Sequence, residues 1–280
     1  MKKLAVLLAL SACATAPGDD LDSDGDGKAD AAVLKKRRRL RSGVTCPEGD
    51  AKFKIAFFDA DSTLRVSKSG AVTADSATDV NVLPFAAREL ARLDEEGYVI
   101  AVVSNQGGVG SGHQTFATAE QALALAISKL DVLGGPVHYF DFAEKYDHYR
   151  KPEIGMAELL DSKLETKCGV GFDRATSFMV GDSGYKKGVD GPHPDGRPAD
   201  DFSNSDRLFA KNLGVDFHEP TDYFRWRDYD VFNIASQAEL IGLLDAIEAR
   251  AAELADMGGD PEEIEALERE ASDNRRVNEL

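Results

Sequence analysis

Asp59 and Asp61 stand two residues apart at the end of an apolar run, in "IAFFDADST" (55–63). In a strand, residues two apart share a face, so the carboxylates would lie side by side and repel. Burying such a pair costs free energy unless a cation or a reaction uses it. Phosphoryl transfer is a reaction that would. One carboxylate can attack phosphorus and form an aspartyl phosphate. The other can protonate the leaving oxygen and then activate water. A magnesium ion held by carboxylates and phosphate oxygens would neutralise the crowded charge, and a lysine would offset charge on the phosphoryl group. The remaining polar groups of this kind are Ser104 and Asn105, Lys151, and Asp182.

Alternating strands and helices must position these groups. "KIAFFDA" (54–60) reads as a strand. "FAARELARLDEEG" (85–97) carries apolar residues at helical spacing and closes on Gly97. "YVIAVVSN" (98–105) is a continuous apolar run of the kind buried on both faces of a parallel sheet. A helix over 116–135, a strand over 137–143, a helix over 155–165 and a strand over 176–182 follow. This order predicts an α/β fold with a doubly wound parallel sheet, in which ligands bind at the carboxyl ends of the strands. Asp59/Asp61, Ser104/Asn105 and Asp182 each follow a strand. The gaps from Thr63 to Ser104 and from Asn105 to Lys151 are largely used by these elements, which predicts a capless domain. "SQAELIGLLDAIEARAAELADM" (236–257) opens on a capping box, Ser236 to Glu239, and a second helix starts at Asp260 and Pro261.

Here the residues resemble the haloacid dehalogenase superfamily of phosphatases. "DADST" (59–63), "VVSN" (102–105), "RKP" (150–152) and "VGDS" (180–183) match its four motifs in order. "YVIAVVSNQGGVGSG", "YRKPEIGM" and above all "DFSNSDRLFAKNLGVDFHEPTDYF" (201–224) are similar to the polynucleotide kinase 3′-phosphatase family. The resemblance spans about 53–226. It implies that Asp59 is the nucleophile and Asp61 the general acid/base, and that Ser104, Asn105 and Lys151 bind phosphate. It further implies that Asp59, Asp61 (through its main-chain carbonyl) and Asp182 hold Mg²⁺, with Asp206 on the metal side or just behind it. The implied substrate is a 3′-phosphorylated nucleic-acid end, DNA before RNA. Two departures stand out. Ser62 replaces the family's glycine, and "SGYKKGVDGPHPDG" (183–196) is longer than the family's stretch. No GxxxxGK[ST] phosphate loop occurs, so the kinase half is missing.

The net charge of −17 argues against generic nucleic-acid coating, though not against a local basic groove. Two rival readings remain. The same motifs serve phosphomonoesterases of small metabolites such as sugar or histidinol phosphates, and the chain could be a non-catalytic surface lipoprotein on a phosphatase fold. No protein partner is indicated.

The first 50 residues read differently. Lys2 and Lys3 precede a short apolar core, "LAVLLAL" (4–10), too short to span a bilayer. "LSAC" (10–13) resembles a bacterial lipobox, which implies lipidation at Cys13 and a cell-envelope, outer-membrane location. Asp22, Asp24, Asp26 and Asp30 around Gly27 resemble short calcium loops. Val33 stands where an EF-hand needs a carboxylate, so a Ca²⁺ site and a solvated acidic linker are both open. "KKRRRLR" (35–41) could touch anionic lipid or stay solvated. The pairing of Cys46 with Cys168 is likewise open. The expected organisation is a signal peptide over 1–12, a linker over 13–50, a phosphatase domain over 51–232 and an acidic helical extension over 233–280.

Overall fold

The computed structural model describes residues 37–280. Cys13 and the candidate calcium aspartates Asp22, Asp24, Asp26 and Asp30 lie outside the described residues. Five parallel strands form one sheet in the order β5-β4-β1-β6-β7. They are β1 (Lys54–Phe58), β4 (Tyr98–Asn105), β5 (Tyr139–Ala143), β6 (Phe178–Val180) and β7 (Asp216–His218). Two short strands, β2 (Arg65–Val66) and β3 (Asn81–Val82), pair antiparallel just after β1. The helices are α1 (Ala86–Glu95), α2 (Gly107–Gly110), α3 (Phe116–Val132), α4 (Gly155–Cys168), α5 (Ser205–Leu213), α6 (Pro220–Tyr223), α7 (Gln237–Asp256) and α8 (Pro261–Asn278).

The two faces of the sheet follow from the strand period. On β1, Ala56 and Phe58 face one apolar cluster, with Ile100 and Val102 of β4 and side chains of α1, α3 and α7. Ile55 and Phe57 face the other, with Val99, Ala101 and Val103 and side chains of α4 and α5. The sheet is therefore covered on both sides, as a doubly wound parallel sheet must be.

The caps act as the sequence indicates. Ser236 accepts from the Glu239 amide, and Asp260 accepts from the Glu262 amide. The extension is not an appendage, however. Leu240, Leu243, Leu244 and Ile247 of α7 and Ala271 of α8 are buried in the same cluster as β1 and β4. Near the end of α8, Asn278 pairs with both main-chain groups of Val82, at 2.9 and 2.8 Å. An acidic composition hid this, because the charges occupy one side of each helix and the leucines the other.

Of the arginines in 37–41, Arg37, Arg38 and Arg41 are docked on the domain, and Arg39 is exposed. The amides of Arg38 and Arg41 bond to Phe140 and His138 carbonyls at the exposed edge of the sheet, which satisfies groups an edge strand otherwise leaves open. Arg37 and Arg38 hold the buried Asp141 carboxylate at 2.7 and 2.9 Å, and Arg41 holds Asp131 at 2.5 Å. Cys46 and Cys168 form a disulfide with a Cα–Cα distance of 5.4 Å. Part of the expected 13–50 linker is thus integral to the domain. Among the described residues, no helix is long and apolar enough to cross a membrane.

Candidate active site

Asp59 follows β1, and its amide bonds to the Val180 carbonyl at 2.9 Å. That contact seats it between β4 and β6 at the carboxyl edge of the sheet. Ser104 and Asn105 end β4, and Asp182 lies two residues beyond β6. The sharp turn after Asp59 requires Ser62 to adopt φ +55°, in the left-handed region. That conformation costs a non-glycine residue on the order of 1–2 kcal/mol. The family's glycine therefore has a physical reason, and the serine accepts the strain.

Lys151 comes from the loop before α4. Asn105 holds it in place: the side-chain amide of Asn105 donates to the Lys151 carbonyl and its oxygen accepts from the Lys151 amide, both at 2.9 Å. Asn105 thereby positions Lys151, and its amide nitrogen carries a second N–H beyond the one given to the Lys151 carbonyl. The Lys151 ammonium is buried, 2.6 Å from Asp59 Oδ1 and 2.7 Å from Asp206 Oδ1. Asp206 opens α5 and also accepts from the Ser183 amide at 3.1 Å. It comes this close only because residue 181 is glycine. A Cβ there would lie 2.3 Å from the Asp206 carboxylate.

Asp59, Asp182 and Asp206 each present a carboxylate oxygen, all within 4.8 Å of one another. Burial pushes the Asp59 carboxyl up to about 7; Lys151 opposes this, and Asp206 and Asp61 add to it. Asp182 is held well above its ordinary value by burial, then by the charges of Asp59 and Asp206. For Lys151 burial pulls downward, but Asp206 and Asp59 outweigh it and hold the ammonium above the usual lysine value. Three crowded carboxylates sharing one ammonium form a donor set suited to a hard divalent cation.

Sequence reasoning missed two residues here. Gln106 is fully buried, and its side-chain nitrogen donates to Asp61 Oδ2 at 2.6 Å and to Ser104 Oγ at 2.9 Å. Arg65, buried as well, donates from Nε to Asp61 Oδ1 at 3.0 Å. Together they fix both oxygens of Asp61, whose carboxylate is not one of the three gathered beside Lys151. Gln106 directly follows "VVSN", which was the available signal; Arg65 carried none.

His148 faces outward and pairs with Glu158 at 2.6 Å. Phe224 and Trp226 are buried, with Phe224 stacked on Phe58, so they pack the sheet end and are not a base platform.

The sequence profile of the family described as "Polynucleotide kinase 3 phosphatase" matches residues 54–224, more than half of the chain. Every site residue named above lies in that span. A 20.8 kDa protein from the FGF-VUBI intergenic region of Autographa californica nuclear polyhedrosis virus is 32% identical over 178 residues, 64% of this chain and 89% of its own length. Polynucleotide 3'-phosphatase ZDP of Arabidopsis thaliana is 26% identical, covering 70% of this chain but 28% of that protein. The bifunctional polynucleotide phosphatase/kinase of Schizosaccharomyces pombe is 27% identical, with 71% and 46% covered. The chain thus spans less than half the length of these last two. Among solved structures, D,D-heptose 1.7-bisphosphate phosphatase from B. bronchiseptica, complexed with magnesium and phosphate, has TM-score 0.45 at 20% identity, covering 59% and 79% of the two chains. A putative HAD-like phosphatase from Mesorhizobium loti has TM-score 0.48 at 19% identity, covering 75% and 91%. On the family match, which covers more than half of the chain, the chain belongs to the polynucleotide kinase 3 phosphatase family.

Proposed function

We propose that this phosphatase removes 3′-phosphates from nucleic-acid ends with the help of Mg²⁺, through an aspartyl-phosphate intermediate. The observation that carries the reading is the buried Lys151 ammonium, 2.6 Å from Asp59 and 2.7 Å from Asp206. It sits where a phosphoryl group bound against Asp59 would need charge compensation. In the first step the Asp59 carboxylate attacks phosphorus, the bond from phosphorus to the 3′ oxygen breaks, and Asp61 gives its proton to that oxygen. In the second step Asp61 takes a proton from water. The water oxygen attacks phosphorus, and Asp59 leaves as a carboxylate with inorganic phosphate. Gln106 and Arg65 keep the Asp61 carboxyl oriented for both transfers. Ser104, whose oxygen already accepts from Gln106, keeps its own proton for a phosphate oxygen.

Asp59 and Asp182, with the Asp61 carbonyl and Asp206 nearby, would hold the Mg²⁺. Bound there, it would supply positive charge to keep Asp59 ionised and to offset the phosphoryl oxygens.

Two exposed aromatics support a nucleic-acid end over a small ester. Phe202 is 96% exposed, four residues before Asp206, and Tyr146 is 92% exposed, five before Lys151, with Arg150 over its ring. Exposed rings beside such segments can stack on bases. The acidic net charge favours the small-ester reading instead. A panel comparing 3′-phosphorylated DNA and RNA oligonucleotides with sugar phosphates decides between them. The reading expects kcat/KM to be highest on the oligonucleotides, and a preference for sugar phosphates would overturn it.

We further propose export, with anchoring through a lipidated Cys13. The Cys46–Cys168 disulfide supports this, because such bonds persist in oxidising compartments. Mass spectrometry of the mature N-terminus tests it: a chain beginning at a lipid-modified Cys13 is expected, and a cytoplasmic chain retaining Met1 would refute it.

A further inference from the structure

The 183–204 connection, which joins the Asp182 turn to α5, contains neither helix nor strand over 185–201. Unstructured loops of this length are uncommon in compact domains without a function or an anchor. Its base is closed where Asp201 folds back on Gly184 and Tyr185. The Asp201 carboxylate accepts from both of those amides, at 2.9 and 2.6 Å. Halfway along the loop, the His193 side chain is buried against the Tyr185 ring, with only 3% exposed.

The two nitrogens of this imidazole have different partners. Nδ1 lies 2.5 Å from Glu219 Oε1. Arg197 also binds Glu219, at 2.6 Å, and lies 3.4 Å from Nδ1, so both carboxylate oxygens of Glu219 are engaged on this side of the ring. Nε2 is on the opposite side of the ring. It is buried and has no hydrogen-bond partner. Its nearest charged neighbour is Asp200 Oδ1 at 3.5 Å, and the Asp201 carboxylate completes a trio of ligand atoms within 4.8 Å.

We propose that His193, Asp200 and Asp201 form a second metal site, separate from the catalytic carboxylates, that takes a zinc-like divalent cation. A buried ring nitrogen with no hydrogen-bond partner is otherwise left unsatisfied. A cation turns all three into ligands. Two ligand atoms about 2.0–2.1 Å from a tetrahedral zinc stand about 3.4 Å apart, close to the observed 3.5 Å between Nε2 and Asp200. Imidazole with carboxylates suits zinc better than magnesium or calcium, which prefer oxygen alone. Glu219 on the far nitrogen completes the carboxylate–histidine–metal arrangement that fixes tautomer and ring orientation. The cation would clip the loop shut at its base, where Asp201, five residues before Asp206, holds the Gly184 amide, two residues beyond Asp182, stiffening the turn that carries both.

The test uses the full chain, stripped with chelator and titrated with Zn²⁺ in excess Mg²⁺, so that the catalytic carboxylates are occupied. Binding is followed by equilibrium dialysis, and the ligand shell by X-ray absorption at the zinc edge. The expected result is a zinc ion with an imidazole ligand. His193→Gln and Asp200→Asn should each weaken binding by more than about tenfold, and Glu219→Gln by about 10–100-fold. Asp200 is 70% exposed, so Asp200→Asn decides the matter if His193→Gln fails to fold. Absence of bound zinc, an all-oxygen shell, or unchanged affinity in Asp200→Asn would overturn the proposal.

Discussion

Reducing the Cys46–Cys168 bond should destabilise the domain without touching the chemistry. The bond closes a loop of 122 residues. The chain-entropy relation gives about 5 kcal/mol for a loop of that size, and native disulfides commonly contribute about 2–4 kcal/mol. We therefore expect a loss of about 3–5 kcal/mol. At about 2–4 °C per kcal/mol for a domain of this size, the melting temperature should fall by roughly 6–20 °C. The active site should be spared while the protein stays folded. Cys168 ends α4, whose 14 residues run away from the Lys151 loop, a length of about 20 Å. Urea unfolding of the oxidised protein and of the Cys46→Ser/Cys168→Ser variant measures the difference. The variant should also show a larger m-value, because its unfolded chain exposes more surface. Equal midpoints and equal m-values in the two proteins would refute the reasoning. So would a large loss of kcat at a temperature where the variant remains folded.

Gln106→Ala should lower kcat by at least about tenfold, short of the 10²–10⁴-fold that general acid–base catalysis itself supplies; steady-state kinetics on a saturating oligonucleotide check this. Deleting 237–280 should leave no folded domain. Leu240, Leu243, Leu244 and Ile247 are fully buried and each contributes about 2 kcal/mol, together comparable to a whole domain's stability; circular dichroism and a melting scan would show the loss. The last of this group concerns pH. The Asp59 carboxyl is pushed up to about 7 from 3.8, so between those values the folded chain holds a proton that the unfolded chain has released. Stability of the Mg²⁺-free protein should therefore be greatest below about pH 4 as far as this group is concerned, and fall as pH rises towards 7. Mg²⁺ favours the ionised form, so it should raise the melting temperature more at pH 8 than at pH 5. An equal rise at both would contradict the placement of the cation beside Asp59.

The placement of the candidate catalytic groups was legible in the sequence because each follows an apolar run long enough to be a strand. Asp59 ends "IAFF", Ser104 ends "YVIAVVS" and Asp182 follows "FMVG". What holds those groups was harder to read. Asn105 reads as a phosphate ligand in sequence, and its amide also spans the main chain of Lys151, 46 residues on. Such pairing across a sheet edge leaves no periodic trace. The strand β7 has three residues, with two exposed, too few for an alternating pattern to declare itself. Helices α7 and α8 were visible from their caps and spacing, but net acidity suggested an acidic extension beyond the phosphatase domain. The leucine stripe of α7, which packs on the sheet, was the better guide. The arginines at 37–41 misled in the opposite sense. The partner of Arg37 and Arg38, Asp141, is a single buried carboxylate about a hundred residues away, and charge counting cannot see it.

The measurement that bears most directly on the mechanism is a trap of the phosphorylated enzyme. A good leaving group on a labelled phosphate ester is mixed with the Asp61→Asn enzyme, the reaction is quenched in acid, and the labelled peptide is sequenced. Asp59 should carry the phosphate, because Asp61→Asn removes the group that activates water while leaving the nucleophile intact. Asp59→Asn should give neither label nor turnover, since an amide is a poor nucleophile. Near-normal turnover in Asp59→Asn, or label on any residue other than Asp59, would contradict the account.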